Sequence, residues 1–225
     1  MKVLVLGATG GSGRAAVEAL LAQGHEVSAL VRRADADLPQ GARIIQGDAL
    51  RAEDVGAAVA GQDAVIVTLG IRENTLRVRL LGPAHTPLDV RSRGTRHVIA
   101  AMRAHGVKRL VVQTSYGVGA TRDRLSVLDK LFFALLIAPQ IADTEQQERA
   151  VRESGLDWLL IQPVHLTDGP EADLPLASAT GEVGALKVSR KSVGRFLASA
   201  ATDGRYVHQS LALSSAATHS AVVPA

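Results

Sequence analysis

The sequence predicts an α/β fold: one domain, a doubly wound parallel sheet with helices on both faces, and a small C-terminal substrate-side region. Three observations predict it. Short apolar runs alternate with helical ones through the first half of the chain. Three glycines, Gly7, Gly10 and Gly13, join the first apolar run to the first helical one. The length of 225 residues, 47% of them hydrophobic, suits a single full core.

The elements follow in order. Val3-Leu4-Val5-Leu6 is a continuous apolar run, so Lys2–Leu6 reads as a strand buried on both faces. Ala16, Val17, Leu20 and Leu21 recur at helical spacing, which predicts a helix over Gly13–Ala22. Further strands are expected at Glu26–Val31, Arg43–Gln46, Ala64–Leu69 and Arg109–Thr114. Helices are expected at Ala52–Val59 and Leu88–His105, the second closed by Gly106. Between them Arg72–Pro87 reads as irregular; it follows the fourth strand and should border a ligand cleft. Leu125, Leu128, Leu131, Phe132, Leu135 and Leu136 repeat with a helical period, as core, lid or dimer surface. Then come a polar helix at Asp143–Glu153, a strand at Trp158–Gln162 and a loop over Pro163–Ala179. A helix at Ser192–Ala201 and an edge strand at Tyr206–Leu213 complete the domain. The domain is expected to span 1–213, with substrate-side loops at 71–87, 116–140 and 163–180 and a flexible Ala/Ser-rich tail at 214–225.

Composition excludes several function classes. Without cysteine there is no disulfide, thiolate nucleophile or Cys-ligated metal, and no metal is expected. The longest apolar run, Leu131–Ala138, falls far short of the ~20 residues that span a bilayer. The chain opens on a strand with no signal-peptide pattern, so a cytoplasmic protein without a membrane partner is expected. The net charge is only +3. The densest basic stretch, Arg77, Arg79, Arg91, Arg93 and Arg96, carries no nucleic-acid motif and reads as a solvated loop and helix face. A small-molecule partner and a monomer or weak homodimer are the expectation.

The glycine turn carries the chemistry. Gly7 permits the tight exit from the strand, Gly10 lets the backbone approach a pyrophosphate, and Gly13 lets the helix pack against the sheet. Helix N-terminal amides, Gly11 among them, would face the phosphates, and Thr9 and Ser12 can add hydroxyl donors. This is the dinucleotide-binding turn of a Rossmann fold. The second strand ends in Val31-Arg32-Arg33 with no carboxylate. A guanidinium there suits a 2′-phosphate, so NADP(H) is preferred over NAD(H), with Arg32 and Arg33 as ligands and Arg14 as a second partner. Asp48 and Ala49, after the third strand, suit the adenine. Leu69 and Gly70 end the fourth strand beside the cofactor, and Arg72 is placed to clamp the pyrophosphate.

The tyrosine–lysine pair of short-chain dehydrogenases is missing. Tyr116 is followed four residues on by Ala120, and Tyr206 by Ser210. Gln140 and Thr144 stand where the pair would fall. Alcohol–ketone chemistry of that kind is therefore not expected. Polar groups do stand at two strand ends, Thr114-Ser115 and Pro163-Val164-His165. Ser115 and His165 are the candidate catalytic residues, facing the substrate; Thr114, Pro163 and Val164 are expected to border the cofactor.

These segments resemble the atypical, NmrA-like branch of the short-chain dehydrogenase/reductase superfamily, and within it the flavin reductase and biliverdin reductase B family. The matching stretches are Gly7–Gly10, Leu30–Arg32, Val59–Val67, Ala100–Val107, Thr114-Ser115, Arg152–Leu156 and Pro163–His165. The resemblance runs from Lys2 to Leu213 and departs at Tyr116–Pro139, which is more apolar. It implies phosphate contacts at Thr9, Gly10, Ser12 and Gly13, with Arg32 on the 2′-phosphate. It also implies NADPH-dependent reduction of a flavin, taken as substrate, or of a quinone or tetrapyrrole, without a tyrosine–lysine pair. The alternative is a non-catalytic, NmrA-like redox sensor that binds NADP(H) and acts through a protein partner.

Overall fold

The computed structural model describes residues 1–71, 73, 77, 82–84, 86–124, 138–169 and 174–216. Arg72 and Leu125–Ile137 lie outside the described residues, as does most of the expected tail.

Eight strands form one sheet in the order β3-β2-β1-β4-β5-β6-β10-β8. They are β1 (Lys2–Leu6), β2 (Glu26–Val31), β3 (Arg43–Gln46), β4 (Ala64–Val67), β5 (Arg109–Gln113), β6 (Asp157–Pro163), β8 (Leu176–Ser178) and β10 (Gln209–Ser214). All pairings are parallel except β10 with β8. A second, two-stranded parallel sheet joins β7 (His165–Thr167) to β9 (Lys187–Ser189). Among the described residues the α-helices are α1 (Gly11–Ala22), α2 (Ala52–Val59), α3 (Val90–His105), α4 (Ala138–Arg152) and α5 (Arg190–Thr202).

Strand side chains alternate between two cores. Val3 and Val5 of β1 pack with Ala16, Val17 and Leu20 of α1 and Val193 and Leu197 of α5. Leu4 and Leu6 face the other way, onto Val55 and Val59 of α2, Val98 and Met102 of α3 and Val151 of α4. Both faces of β1 are thus sealed, which is why its sequence is apolar throughout rather than alternating. The chain runs outward from β1 through β2 to β3 and then returns to β4 on the other side. The switch point lies between β1 and β4, and the crevice at the carboxyl ends of these strands is where ligands bind in such sheets.

The structure departs from the sequence reading in several places. Tyr206 and His208 adopt left-handed φ values of 59° and 56°, so the last strand starts at Gln209. That strand is not an edge: β8 pairs with its outer side. The segment read as a loop over Pro163–Ala179 contains β7 and β8, each three residues long. Helix α4 starts at Ala138, five residues before the expected Asp143. Backbone bonding continues past Leu213, with Ser215 N donating to Lys187 O at 2.9 Å.

Candidate active site

The glycine turn is built from three different constraints. Gly7 has φ +83°, and a Cβ there would lie 2.6 Å from Thr68 O at the end of β4. A Cβ on Gly13 would run into Gly7 O and Thr68 Oγ1. Only glycine fits either position, and both glycines seat the turn against β4. Gly10 differs: it has φ −79° and ψ 158°, and its Cβ would meet only Gly7 O, at 3.3 Å. Gly10 N donates to Gly7 O at 2.9 Å, closing the turn. Helix α1 begins at Gly11, two residues before the expected start, and its first internal bond is Arg14 N to Gly10 O at 2.8 Å. The amides of Gly11, Ser12 and Gly13 precede that bond and form the helix N-terminus.

At the far end of β2 a groove of about 440 Å³ is lined by Arg32, Gln46, Gly47, Asp48, Arg51 and Asp54. Asp48 Oδ1 accepts from Leu50 N at 2.9 Å, and Asp54 Oδ2 accepts from Asp48 N at 2.9 Å, which fixes the loop that holds Ala49. Arg51 escaped the sequence reading and brings a second guanidinium beside Arg32. Arg14 is not brought to this groove: its Nη1 donates to Asp37 O at 2.7 Å, and its Nε pairs with Glu18 at 3.3 Å. Arg33 is a surface residue paired at 3.6 Å with Asp35.

The ends of β4, β5 and β6 form the other half of the crevice. Leu69 packs its side chain on α3, where a Cβ on Gly94 would meet Leu69 Cδ1 at 2.6 Å. A Cβ on Gly70 would lie 3.1 Å from Arg91 Nη2. The missing side chain there makes room for an arginine as well as for a ligand. Thr114 is buried and spends its hydroxyl on Glu148 Oε1 at 2.7 Å. Gln162 Nε2 donates to the same oxygen at 2.8 Å, and Arg152 Nη2 donates to Glu148 Oε2 at 2.8 Å. This buried cluster ties α4 to the ends of β5 and β6.

Ser115 follows Thr114 and is half-buried; its hydroxyl has a 3.3 Å contact to Tyr116 O. Tyr116 N donates to Pro163 O at 3.0 Å, and Val164 N donates to Leu213 O at 3.0 Å. These bonds hold the residue after Ser115 against the strand end that leads into His165. His165 is exposed and opens β7. The buried Tyr116 hydroxyl donates to Gly181 O at 3.1 Å, and burial raises its pKa, with Arg124 opposing. Thr144 donates to Gln140 O at 2.8 Å within its own helix.

Two further cations near the crevice were not expected there from the sequence. Arg190 opens α5 and lies over Gly11, where a Cβ would strike its Cδ; its Nη1 pairs with Asp168 at 2.7 Å. Arg91 lies in the first turn of α3, and its Nη1 is buried without a hydrogen-bond partner, which overturns its reading as a solvated charge. The available signal was position. Both cations sit at helix N-termini, where the helix dipole disfavours positive charge.

A family model described as NAD(P)H-binding matches residues 7–204. A 3-diazoavenalumate denitrifying reductase from a Streptomyces species is 35% identical over 171 residues, 72% of this chain and 55% of that protein. An uncharacterized chloroplastic protein of Arabidopsis thaliana is 32% identical over 178 residues, 75% of this chain and 60% of that one. The chain thus spans 55% and 60% of the length of these two relatives. Among solved structures, ChuY, an anaerobillin reductase from Escherichia coli O157:H7, is 25% identical with a TM-score of 0.78, covering 100% of both chains. A short-chain dehydrogenase/reductase from Veillonella parvula, in complex with NADP, shares the fold at 17% identity and a TM-score of 0.77, with 97% of this chain and 96% of that one covered. No helix among the described residues is long and apolar enough to cross a membrane.

Proposed function

The chain belongs to the NAD(P)H-binding family, as its atypical short-chain dehydrogenase/reductase features led us to expect, and we propose that it is an NADPH-dependent reductase of a flavin or similar conjugated acceptor. One observation carries the reading. Tyr116, next to Ser115, is bonded to Pro163 of the strand end that leads into His165, at the carboxyl-terminal end of the sheet that also holds the glycine turn. A relative and a structural neighbour named as reductases support it.

The residues suit a dinucleotide. Side chains at Gly7 and Gly13 would fill the turn, and Gly10 leaves its outer face without a Cβ. In this reading the amides of Gly11, Ser12 and Gly13 hold the pyrophosphate, with Thr9 beside them. Arg32 and Arg51 hold the 2′-phosphate, and Asp48 and Ala49 face the adenine. Leu69, Gly70, Thr114, Pro163 and Val164 border the nicotinamide end through their backbones. Bound NADPH supplies a hydride, and a flavin takes it up with a proton from solvent, so the protein is asked to orient rather than to protonate. Ser115, with only a 3.3 Å contact to leave, turns its hydroxyl to an acceptor heteroatom. His165 positions the acceptor from the exposed rim.

The test is NADPH consumption with FMN, riboflavin and a quinone as acceptors. Turnover with at least one is expected. Tight NADPH binding with no turnover on any of them would replace this reading with a redox sensor acting through a protein partner.

A further inference from the structure

Arg91 occupies an expensive position. Its guanidinium lies beside Gly70, and Nη1 is sealed from solvent without a hydrogen-bond partner. It also sits in the first turn of α3, where the helix dipole opposes a cation. The Asp143 carboxylate, whose charge acts on the guanidinium, is bonded to backbone amides. Asp143 spends Oδ2 on Arg91 N at 3.0 Å and Oδ1 on Ser92 N at 3.1 Å, capping α3 from a different helix. Burial lowers the Arg91 pKa, and the Asp143 charge only opposes the shift. A half-buried guanidinium whose sealed Nη1 has no acceptor is destabilising by itself, and an anionic partner in the working state would satisfy it.

The topology points to the source of that partner. A dinucleotide's pyrophosphate belongs at the N-terminus of α1, beyond the end of β1. Its 2′-phosphate belongs at the Arg32 groove, beyond the end of β2. The Arg91 guanidinium stands against Gly70, past the end of β4, the strand that lies between β1 and β5, on the side of the crevice that remains for the nicotinamide and the acceptor. We propose that Arg91 is a specificity-determining residue that binds an anionic oxygen group, a carboxylate or phosphate, on the acceptor. The inference rests on the reductase reading above. A guanidinium offers a planar fork of donors that matches either group. Gly70 keeps the approach to it open, since any side chain there would press on Nη2.

The experiment compares FMN, which carries a phosphate, with riboflavin, which does not. Binding of each to the NADP⁺-loaded protein is followed by flavin fluorescence, and turnover by NADPH consumption, in the parent protein, Arg91→Met and Arg91→Lys. The parent is expected to favour FMN. Arg91→Met should weaken FMN roughly 10- to 100-fold, the worth of a charge-assisted contact, and leave riboflavin and NADP⁺ affinities unchanged. Arg91→Lys should recover part of the loss. The melting temperature of Arg91→Met without ligand should hold or rise, because a guanidinium with a sealed, unpaired N–H is gone; a merely structural arginine would lower it. Equal losses for both flavins, a loss of NADP⁺ affinity, or unchanged FMN binding would each overturn the proposal. Binding of neither flavin to the parent would overturn it together with the flavin reading. FMN selectivity without turnover would overturn the reductase reading alone.

Discussion

Gly10→Val separates the cofactor turn from the fold. At Gly10 the backbone is extended, with φ −79° and ψ 158°, which a β-branched residue adopts readily. The added Cβ meets only Gly7 O, at 3.3 Å, a contact relieved by a few tenths of an ångström. Gly10 is the N-cap of α1, where replacing glycine with an apolar residue costs under about 1 kcal/mol. For a chain of this size that is a fall of roughly 2–4 °C in Tm. Cofactor binding answers differently, because the isopropyl group stands where the pyrophosphate must approach. In the parent, NADPH at a hundredfold its Kd should add about 2.7 kcal/mol, or roughly 5–11 °C. In Gly10→Val that increment should vanish. Thermal unfolding with and without NADPH, with calorimetric titration, measures both quantities. A folded Gly10→Val protein that keeps near-parental NADPH affinity would refute the placement of the pyrophosphate on this turn.

Three other outcomes are expected. Arg32→Ala should weaken NADPH roughly 10- to 100-fold and leave NADH nearly unchanged, since one charge-assisted contact is lost; equal parental affinity for the two cofactors would end the argument for NADPH preference. His165→Ala should lower flavin reduction about tenfold, mainly in KM, well short of the 10²–10⁴-fold loss of an obligatory acid, and Ser115→Ala should act more on turnover; unaltered kinetics in both and in the double mutant would remove them from the site. Arg109→Met should be strongly destabilising. The buried guanidinium donates to Ala200 O at 2.5 Å, Arg205 O at 2.7 Å and Asp157 O at 3.3 Å. Hydrogen bonds to a charged group are worth about 1.5–3 kcal/mol each, so a loss of at least about 3 kcal/mol is expected. That is roughly 6–12 °C in Tm, and an unchanged melting curve would contradict it.

The parts legible in the sequence are those whose physics is local. β1, β2, β3 and α2 occupy the expected residues, because continuous apolar runs and helical spacing are set by nearest neighbours. The glycine turn was legible for the same reason: the strand, the turn and the helix lie within twenty-two residues. What escaped depends on distant partners. β8 is three residues long and becomes a strand by pairing with β10. Asp143, read as the first residue of its helix, lies inside α4 and caps α3, through bonds to residues 51 and 52 positions away. Arg14 was expected as a second partner for the 2′-phosphate and Thr114 beside the cofactor; the structure gives their side chains to Asp37 and Glu148, partners 23 and 34 residues away. Arg91 and Arg190 are ordinary exposed letters in a composition count. Only packing against Gly70 and Gly11 places them at the crevice.

The most direct test of the reductase account is a single anaerobic turnover. The protein is loaded with NADPH carrying deuterium or hydrogen at C4 and mixed with FMN in a stopped-flow instrument. The account predicts that reduced nicotinamide and oxidised flavin disappear together, at a rate that needs the protein and is slowed by deuterium at the transferred position. Full occupancy by NADPH and FMN, with neither absorbance changing, would contradict it.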